Sequence, residues 1–216
     1  MKKKYLLLLV VLCQGFVLFA QDYYNQGLVE YESGDLHKSI DLFSKSILAK
    51  RNLANSYMYR GAANIYLEMF EKAEQDIFHS IQIDSLNHKS FFYLGMLYIK
   101  MGLNIKAIEK LTTGIELNNN DPILYDYRAI AKSNIGDFQG AIVDESIAID
   151  LQPENGRWIA NRGTLYMLSE QYQKAINDFD CALKLDSMMY PRAYGNKGYS
   201  LAMLEFYAEA IEQYSQ

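Results

Sequence analysis

Small and large apolar side chains recur along this chain with a period of 34. Gly27, Gly61, Gly95, Ala129 and Gly163 stand 34 residues apart, and Gly198 follows after 35, the extra residue falling in the loop from Met188 to Pro191. Twelve residues after each comes a second small residue, at Ser39, Ala73, Ala107, Ala141, Ala175 and Ala210. A third small column follows seven residues later, at Ser46, Ser80, Gly114, Ala148 and Ala182. Three small columns in register over five or six copies predict a repeat architecture. Within a copy, apolar residues such as Ala141, Ile142, Ile147, Ala148 and Leu151 recur at helical spacing rather than alternating. Each period therefore predicts two antiparallel helices whose axes approach closely at the small residues. Gly34-Asp35, Gly102-Leu103 and Gly136-Asp137 supply turns between paired helices, and Asp121 before Pro122 reads as an N-cap followed by a first-turn proline. Nothing alternates long enough to predict a strand.

The composition agrees with a packed chain. Of 216 residues, 50% are hydrophobic and 22% charged, which excludes disorder. The net charge of -5 becomes more negative if Lys2, Lys3 and Lys4 leave with a leader, so no basic stripe predicts a nucleic-acid partner. Two cysteines, Cys13 and Cys181, exclude a disulfide framework because the first lies in the apolar N-terminal run. Lys2 to Lys4 followed by the apolar run Tyr5 to Ala20 predicts a signal peptide over residues 1–20, with Gln21 as the mature N-terminus. The protein is then expected to be exported, to the periplasm, the outer envelope or the extracellular space, with no membrane span in the mature chain.

The columns resemble the tetratricopeptide repeat, in the form found in exported bacterial proteins. Tyr23, Tyr57, Phe91, Tyr125 and Tyr194 stand at its early aromatic place, Tyr98 and Tyr166 at the later one, Phe43 and Phe179 at the second-helix aromatic, and Pro153 at the inter-repeat proline. Ile159 with Trp158 before it, and Ala129, depart from the pattern. The resemblance implies an all-α, right-handed α-solenoid of stacked antiparallel helix hairpins. About six repeats are expected, at 21–53, 54–87, 88–121, 122–155, 156–190 and an incomplete 191–216.

Arg60, Arg128 and Arg162 each precede the first small column, and in those three repeats alone an aspartate, Asp76, Asp144 or Asp178, follows sixteen residues on. The other repeats lack both members, having Gln26 with Leu42, Leu94 with Lys110, and Lys197 with Gln213. Joint presence predicts a bidentate structural pair between the two helices of a hairpin.

No constellation for catalysis is present. There is no GxxxxGK[ST], HExxH or CxxC, and His37, His79 and His88 are scattered without a second ligand at metal spacing. The expectation is a non-enzymatic scaffold with no cofactor and no metal.

In proteins that this chain resembles, the first helices line a concave face that holds a peptide or a partner's helix. By register the expected groove comprises Tyr24, Met58, Phe92 and Asp126, then Asn25, Tyr59, Tyr93, Tyr127, Asn161 and Asn196, with Tyr66, Met96, Lys100 and Ile130 further along. Tyr59, Tyr93 and Tyr127 read either as a ladder receiving an extended peptide or as packing between repeats in a chain with 18 tyrosines. The chaperone-binding clamp of cytosolic members is not matched, since Tyr24, Leu28 and Tyr93 replace three of its polar residues beside Lys89. Phe206, Tyr207, Ile211 and Tyr214 leave an apolar terminal hairpin, which predicts a homodimer, a docking face or a longer parent chain. The leading expectation is a scaffold that binds a partner protein or peptide. Its alternatives are an extracytoplasmic sensory or regulatory module of a larger receptor and self-assembly.

Overall fold

The computed structural model describes residues 23–185 and 191–215, all of whose regular structure is helical. The helices are α1 (helical over 23–33), α2 (Leu36–Leu48), α3 (Leu53–Tyr66), α4 (Phe70–Ile83), α5 (His88–Lys100), α6 (Asn104–Leu117), α7 (Pro122–Asn134), α8 (Phe138–Leu151), α9 (Gly156–Leu168), α10 (Tyr172–Leu185), α11 (Pro191–Met203) and α12 (Tyr207–Tyr214). The leader expected at 1–20 and the inserted residue expected after Met188 lie outside the described residues. Among the described residues no helix is long and apolar enough to cross a membrane. The chain divides inside α5, after Leu97, into two compact units. Unit 1 ends at Leu97 and unit 2 begins at Tyr98.

Small residues sit where helices of one hairpin meet. A Cβ added to Gly27 would lie 2.8 Å from the Phe43 ring, and one added to Gly61 would lie 2.8 Å from Ile77 Cγ1. In unit 2 the same holds for Gly163 against Phe179 at 2.9 Å and for Gly198 against Tyr214 at 3.0 Å. In every case the large residue follows the glycine by sixteen positions, so a fixed offset closes each hairpin. Between hairpins the fillings are complementary in volume. Ser46 pairs with Ser56 at 2.9 Å and Ser80 with Ser90 at 2.8 Å, both buried, whereas the corresponding junction of α8 and α9 packs Ala148 with Trp158.

The arginine–aspartate pairs are bidentate. Arg60 donates from Nε and Nη2 to Asp76 at 2.8 and 2.7 Å, Arg128 to Asp144 at 2.9 and 2.7 Å, and Arg162 to Asp178 at 2.8 and 2.9 Å. Each guanidinium also has a third arm that the sequence reading did not include. Nη1 donates backward to a hydroxyl sixteen residues earlier, on the previous hairpin: Ser44 at 2.9 Å, Thr112 at 3.1 Å and Ser146 at 3.2 Å. One side chain thus holds both helices of its own hairpin and the hairpin before it. An aromatic ring covers each guanidinium, Tyr57 at 5.4 Å for Arg60 and Tyr125 at 5.6 Å for Arg128. Arg162 lacks that ring because Ile159 stands there, and it lies instead over Tyr166 at 5.8 Å. Where the arginine is missing the hydroxyl is missing too. Phe78 and Leu94 occupy the two places at one junction, and at the last Lys197 meets Asp180 at 2.6 Å.

Turns within hairpins share one geometry. The amide nitrogen three residues past the helix donates to the carbonyl five residues before it, as in Leu103 to Tyr98, Asp137 to Lys132 and Gln171 to Tyr166. The residue between is left-handed, at φ 81° for Gly136 but also at φ 61° for Glu170. Gly34 and Gly102 fill this place in two further hairpins, and Glu68 and Glu205 in the remaining two described.

Two stability predictions follow from these contacts. Arg162→Ala strands Asp178, which is 7% exposed, and is expected to lower the unfolding free energy by about 3 kcal/mol in urea titrations. The Arg162→Ala, Asp178→Ala double variant recovers much of that loss if the pair acts as a unit. Gly136→Ala should cost about 1 kcal/mol for left-handed strain, whereas Glu170→Gly should change stability by less than about 0.5 kcal/mol, because relief of strain is offset by the greater freedom of glycine when unfolded.

Candidate partner-binding cavity

The first-helix column that begins at Tyr24 changes character along the chain: Tyr24, Met58 and Phe92 in unit 1, then Asp126, Ala160 and Gly195 in unit 2. The column one residue later reads Asn25, Tyr59 and Tyr93 in unit 1 and Tyr127, Asn161 and Asn196 in unit 2. In unit 1 Tyr24, Tyr59, Phe92 and Tyr93 fill these places with rings, whereas Ala160 and Gly195 in unit 2 are small.

In unit 1 the rings pack on one another. Phe43 stacks on Tyr59 with centroids 5.7 Å apart and planes 15° from parallel, and Tyr59 meets Tyr93 edge-on at 6.2 Å. Tyr31 touches both Tyr59, at 5.6 Å, and Tyr66, at 6.3 Å, while Tyr24 lies 6.0 Å from Phe43 and Phe92 5.0 Å from Tyr93. Burial, then the neighbouring Tyr59, pushes the Tyr24 phenol up to about 12. Burial and hydrogen bonds with Tyr93 and Tyr66 push Tyr31 higher still, so these hydroxyls stay neutral at physiological pH. Tyr59 and Tyr93 are spent mainly on each other and on the hairpin seam.

Unit 2 contains an open cavity of about 650 Å³. Its walls come from α7 (Ala129, Ile130, Ser133, Asn134), α9 (Arg157, Ala160, Asn161, Thr164, Leu165, Leu168) and α11 (Arg192, Ala193, Asn196), and its floor from Glu145 of α8 and Phe179 of α10. A Cβ built on Gly195 would meet nothing within 4 Å. Polar groups are tied to the wall as well as turned to the opening. Arg157 Nη2 donates to Asp126 Oδ2 at 2.6 Å, Asn161 Nδ2 to Asp126 Oδ1 at 3.3 Å, and Asn196 Nδ2 to Thr164 Oγ1 at 3.3 Å. Glu145 occupies the second-helix place that holds Phe43, Ile77, Leu111, Phe179 and Tyr214 in the other hairpins. It is 1% exposed, and its Oε2 has no hydrogen-bond partner in the protein. Burial first, and the carboxylate and hydrogen bond of Asp126 next, push its carboxyl up to about 9, so it is protonated at neutral pH.

Of the expected groove residues, Ile130, Asn161 and Asn196 line this cavity and Asp126 buttresses it. Three expectations of an open surface are corrected. Met58, Met96 and Asp126 are 1%, 3% and 0% exposed, because at these places the side chains are covered by neighbouring helices. Asn25, Tyr66 and Lys100 are exposed and Tyr127 is half-buried. Sequence reasoning missed Glu145, Arg157, Thr164 and Arg192. Glu145 had a legible signal, a carboxyl in a column otherwise filled by apolar residues.

No family model matches the chain. Tetratricopeptide repeat protein 13 of Homo sapiens is 35% identical over 127 residues, which is 56% of this chain and 14% of that protein. TPR repeat-containing protein MJ1428 of Methanocaldococcus jannaschii is 24% identical over 220 residues, 95% of this chain and 38% of its own length. The chain thus spans well under half the length of these curated relatives. Among solved structures, Pseudomonas aeruginosa PilF superposes with TM-score 0.80 at 12% identity, over 92% of this chain and 90% of its own. YrrB, described as a TPR protein with an unusual peptide-binding site, superposes with TM-score 0.61 at 20% identity, over 77% of this chain and 86% of its own. The structural likenesses establish the all-α solenoid fold, and with the 34-residue columns and the repeat-bearing relatives they lead to one assignment: the chain is a tetratricopeptide-repeat protein.

Proposed function

We propose that this chain is a non-enzymatic scaffold that binds a partner protein by taking a segment of it into the unit 2 cavity. Proteins of this fold mediate protein–protein interaction and are generally without enzymatic activity. The observation that carries the reading is the change of one helix column from Tyr24, Met58 and Phe92 to the small Ala160, which lines an open space of about 650 Å³ beside amide and guanidinium side chains. Such a volume suits a short segment of chain. Apolar walls at Ile130, Leu165 and Leu168 suit its side chains, and Asn161, Asn196 and Arg157 suit its backbone carbonyls. The peptide-binding site for which YrrB is described supports a peptide ligand. The lysines and apolar run at the N-terminus support work outside the cytoplasm, in a bacterial envelope or beyond it.

Ala160→Phe restores at this register the ring that Phe92 supplies in unit 1 and is expected to fill the cavity without disturbing the helix. Mature chains from Gln21, native and Ala160→Phe, are used to capture proteins from an extract of the source cells. A partner held by the native chain and lost from the variant, with circular dichroism unchanged, is the expected result. Equal recovery on both rejects the cavity as the binding place.

The terminal hairpin favours a second reading. Phe206, just before α12, and Tyr207, Ile211 and Tyr214 on it are 48%, 61%, 68% and 58% exposed, an apolar face suited to a second copy of the chain. Sedimentation velocity over a hundredfold concentration range is expected to show dimers that disappear in the Tyr207→Ser, Ile211→Ser variant. A native mass that stays monomeric throughout removes self-assembly.

A further inference from the structure

Asp126 and Glu145 bring two carboxyl groups, 0% and 1% exposed, to the base of the unit 2 cavity from adjacent helices α7 and α8. The groups that face them are few. From α9 come Arg157, bonded to Asp126 at 2.6 Å, and the Asn161 amide; α10 contributes Phe179, and Arg192 of α11 stands in the cavity wall. The next acid on α8, Asp144, takes Arg128 and Lys132 at 2.7 Å each, so neither cation serves Glu145. One guanidinium engaged with Asp126 does not balance two buried negative charges, and carboxylates within hydrogen-bond reach at a buried site repel strongly. Glu145 also keeps one oxygen without a partner, so ionisation would leave charge on an atom with no donor.

We infer that the unit 2 cavity is a proton-linked site, which keeps its shape and its occupant while Glu145 carries a proton and loses both when that proton leaves. Loss of the proton places an unbalanced charge beneath the cavity, and the charge is relieved by letting water between α8 and α9. The occupant is that of the proposed function, on which this half of the inference rests; the linkage itself belongs to the empty chain.

The sign follows from the raised value. Glutamate in the unfolded chain ionises near 4.5, whereas burial and Asp126 hold folded Glu145 at about 9. Between those values folding takes up one proton, so the folding constant falls as pH rises, by up to about tenfold per pH unit, and levels off above the upper value.

Three measurements on the full chain decide the matter. With ¹³C-labelled glutamate, the side-chain carboxyl resonance that disappears in Glu145→Gln is expected to titrate several units above ordinary glutamate; a midpoint near 4.5 overturns the inference. Urea titrations are expected to show the native folding constant falling relative to that of Glu145→Gln between about pH 6 and pH 9. Parallel profiles overturn it, since the variant shares every other lysine and tyrosine. The occupant is read with the protein captured by the native chain but not by Ala160→Phe. Its affinity should fall about tenfold between pH 7 and pH 10 on the native chain and stay level on Glu145→Gln; equal losses on both overturn the coupling to binding. Failure to capture any such protein defeats the proposed function, while the first two measurements still judge the linkage.

Discussion

Everything in this chain hangs on a fixed offset of sixteen residues between facing positions of paired helices. Gly27 meets Phe43, Gly61 meets Ile77, Gly163 meets Phe179 and Gly198 meets Tyr214, each glycine leaving room for the side chain opposite. The offset is set by a turn whose middle residue is left-handed, whether it is Gly136 or Glu170. Because that turn geometry recurs, a change of residue at one register alters local filling without moving the helices. Repeats touch mainly their neighbours, so such changes need no compensation elsewhere. This is what lets unit 1 be packed with aromatic rings and unit 2 contain a polar cavity on the same framework.

The arginine clasps obey the same offset in both directions. Arg128 reaches Asp144 sixteen residues ahead and Thr112 sixteen behind, and the other two arginines repeat the arrangement. Asp144 is 1% exposed, so its charge is tolerated only because Arg128 and Lys132 both bind it. The alternatives at the same junctions are chemically whole: Phe78 with Leu94, both apolar, or Asp180 with Lys197, an ion pair. A hydroxyl facing leucine, or an arginine facing phenylalanine, would bury a polar group without a partner. The three positions therefore change together.

The repeat period made the helices legible, because small columns at a fixed spacing have few other physical explanations. The Arg60, Arg128 and Arg162 pairs were legible through joint presence with their aspartates, whereas the hydroxyl arm was not, since Ser44, Thr112 and Ser146 belong to the preceding repeat and were outside the comparison. The groove was legible only in part. Columns on a first helix show which residues share a face but not whether that face meets solvent or a neighbouring helix, which is why Met58, Met96 and Asp126 were placed outside and are buried. Glu145 escaped because the second helices were read for their aromatic residues, and a carboxyl in an apolar column is visible only when all six copies are aligned. The Tyr59 and Tyr93 rings showed both readings in the sequence, and their ring contacts in unit 1, Tyr59 stacked on Phe43 and edge-on to Tyr93, favour packing.

Glu145 is a buried carboxyl in a column that is otherwise apolar. Five other hairpins fill its place with Phe43, Ile77, Leu111, Phe179 or Tyr214, so nothing in the fold requires a carboxyl there. A leucine or phenylalanine would bury apolar area worth about 2 kcal/mol, whereas a carboxyl must either lose its proton into an apolar seam or keep it at the expense of ordinary acidity. The surroundings choose the second course: Asp126 engages it, Arg157 and Asn161 bind Asp126, and the Ala129 beside the seam adds a methyl where other hairpins have glycine. Asp126, Ala129 and Glu145, three residues of one repeat, have thus departed together from the repeat pattern. They surround the floor and wall of the same cavity, and a departure needed only for packing would have no reason to gather there.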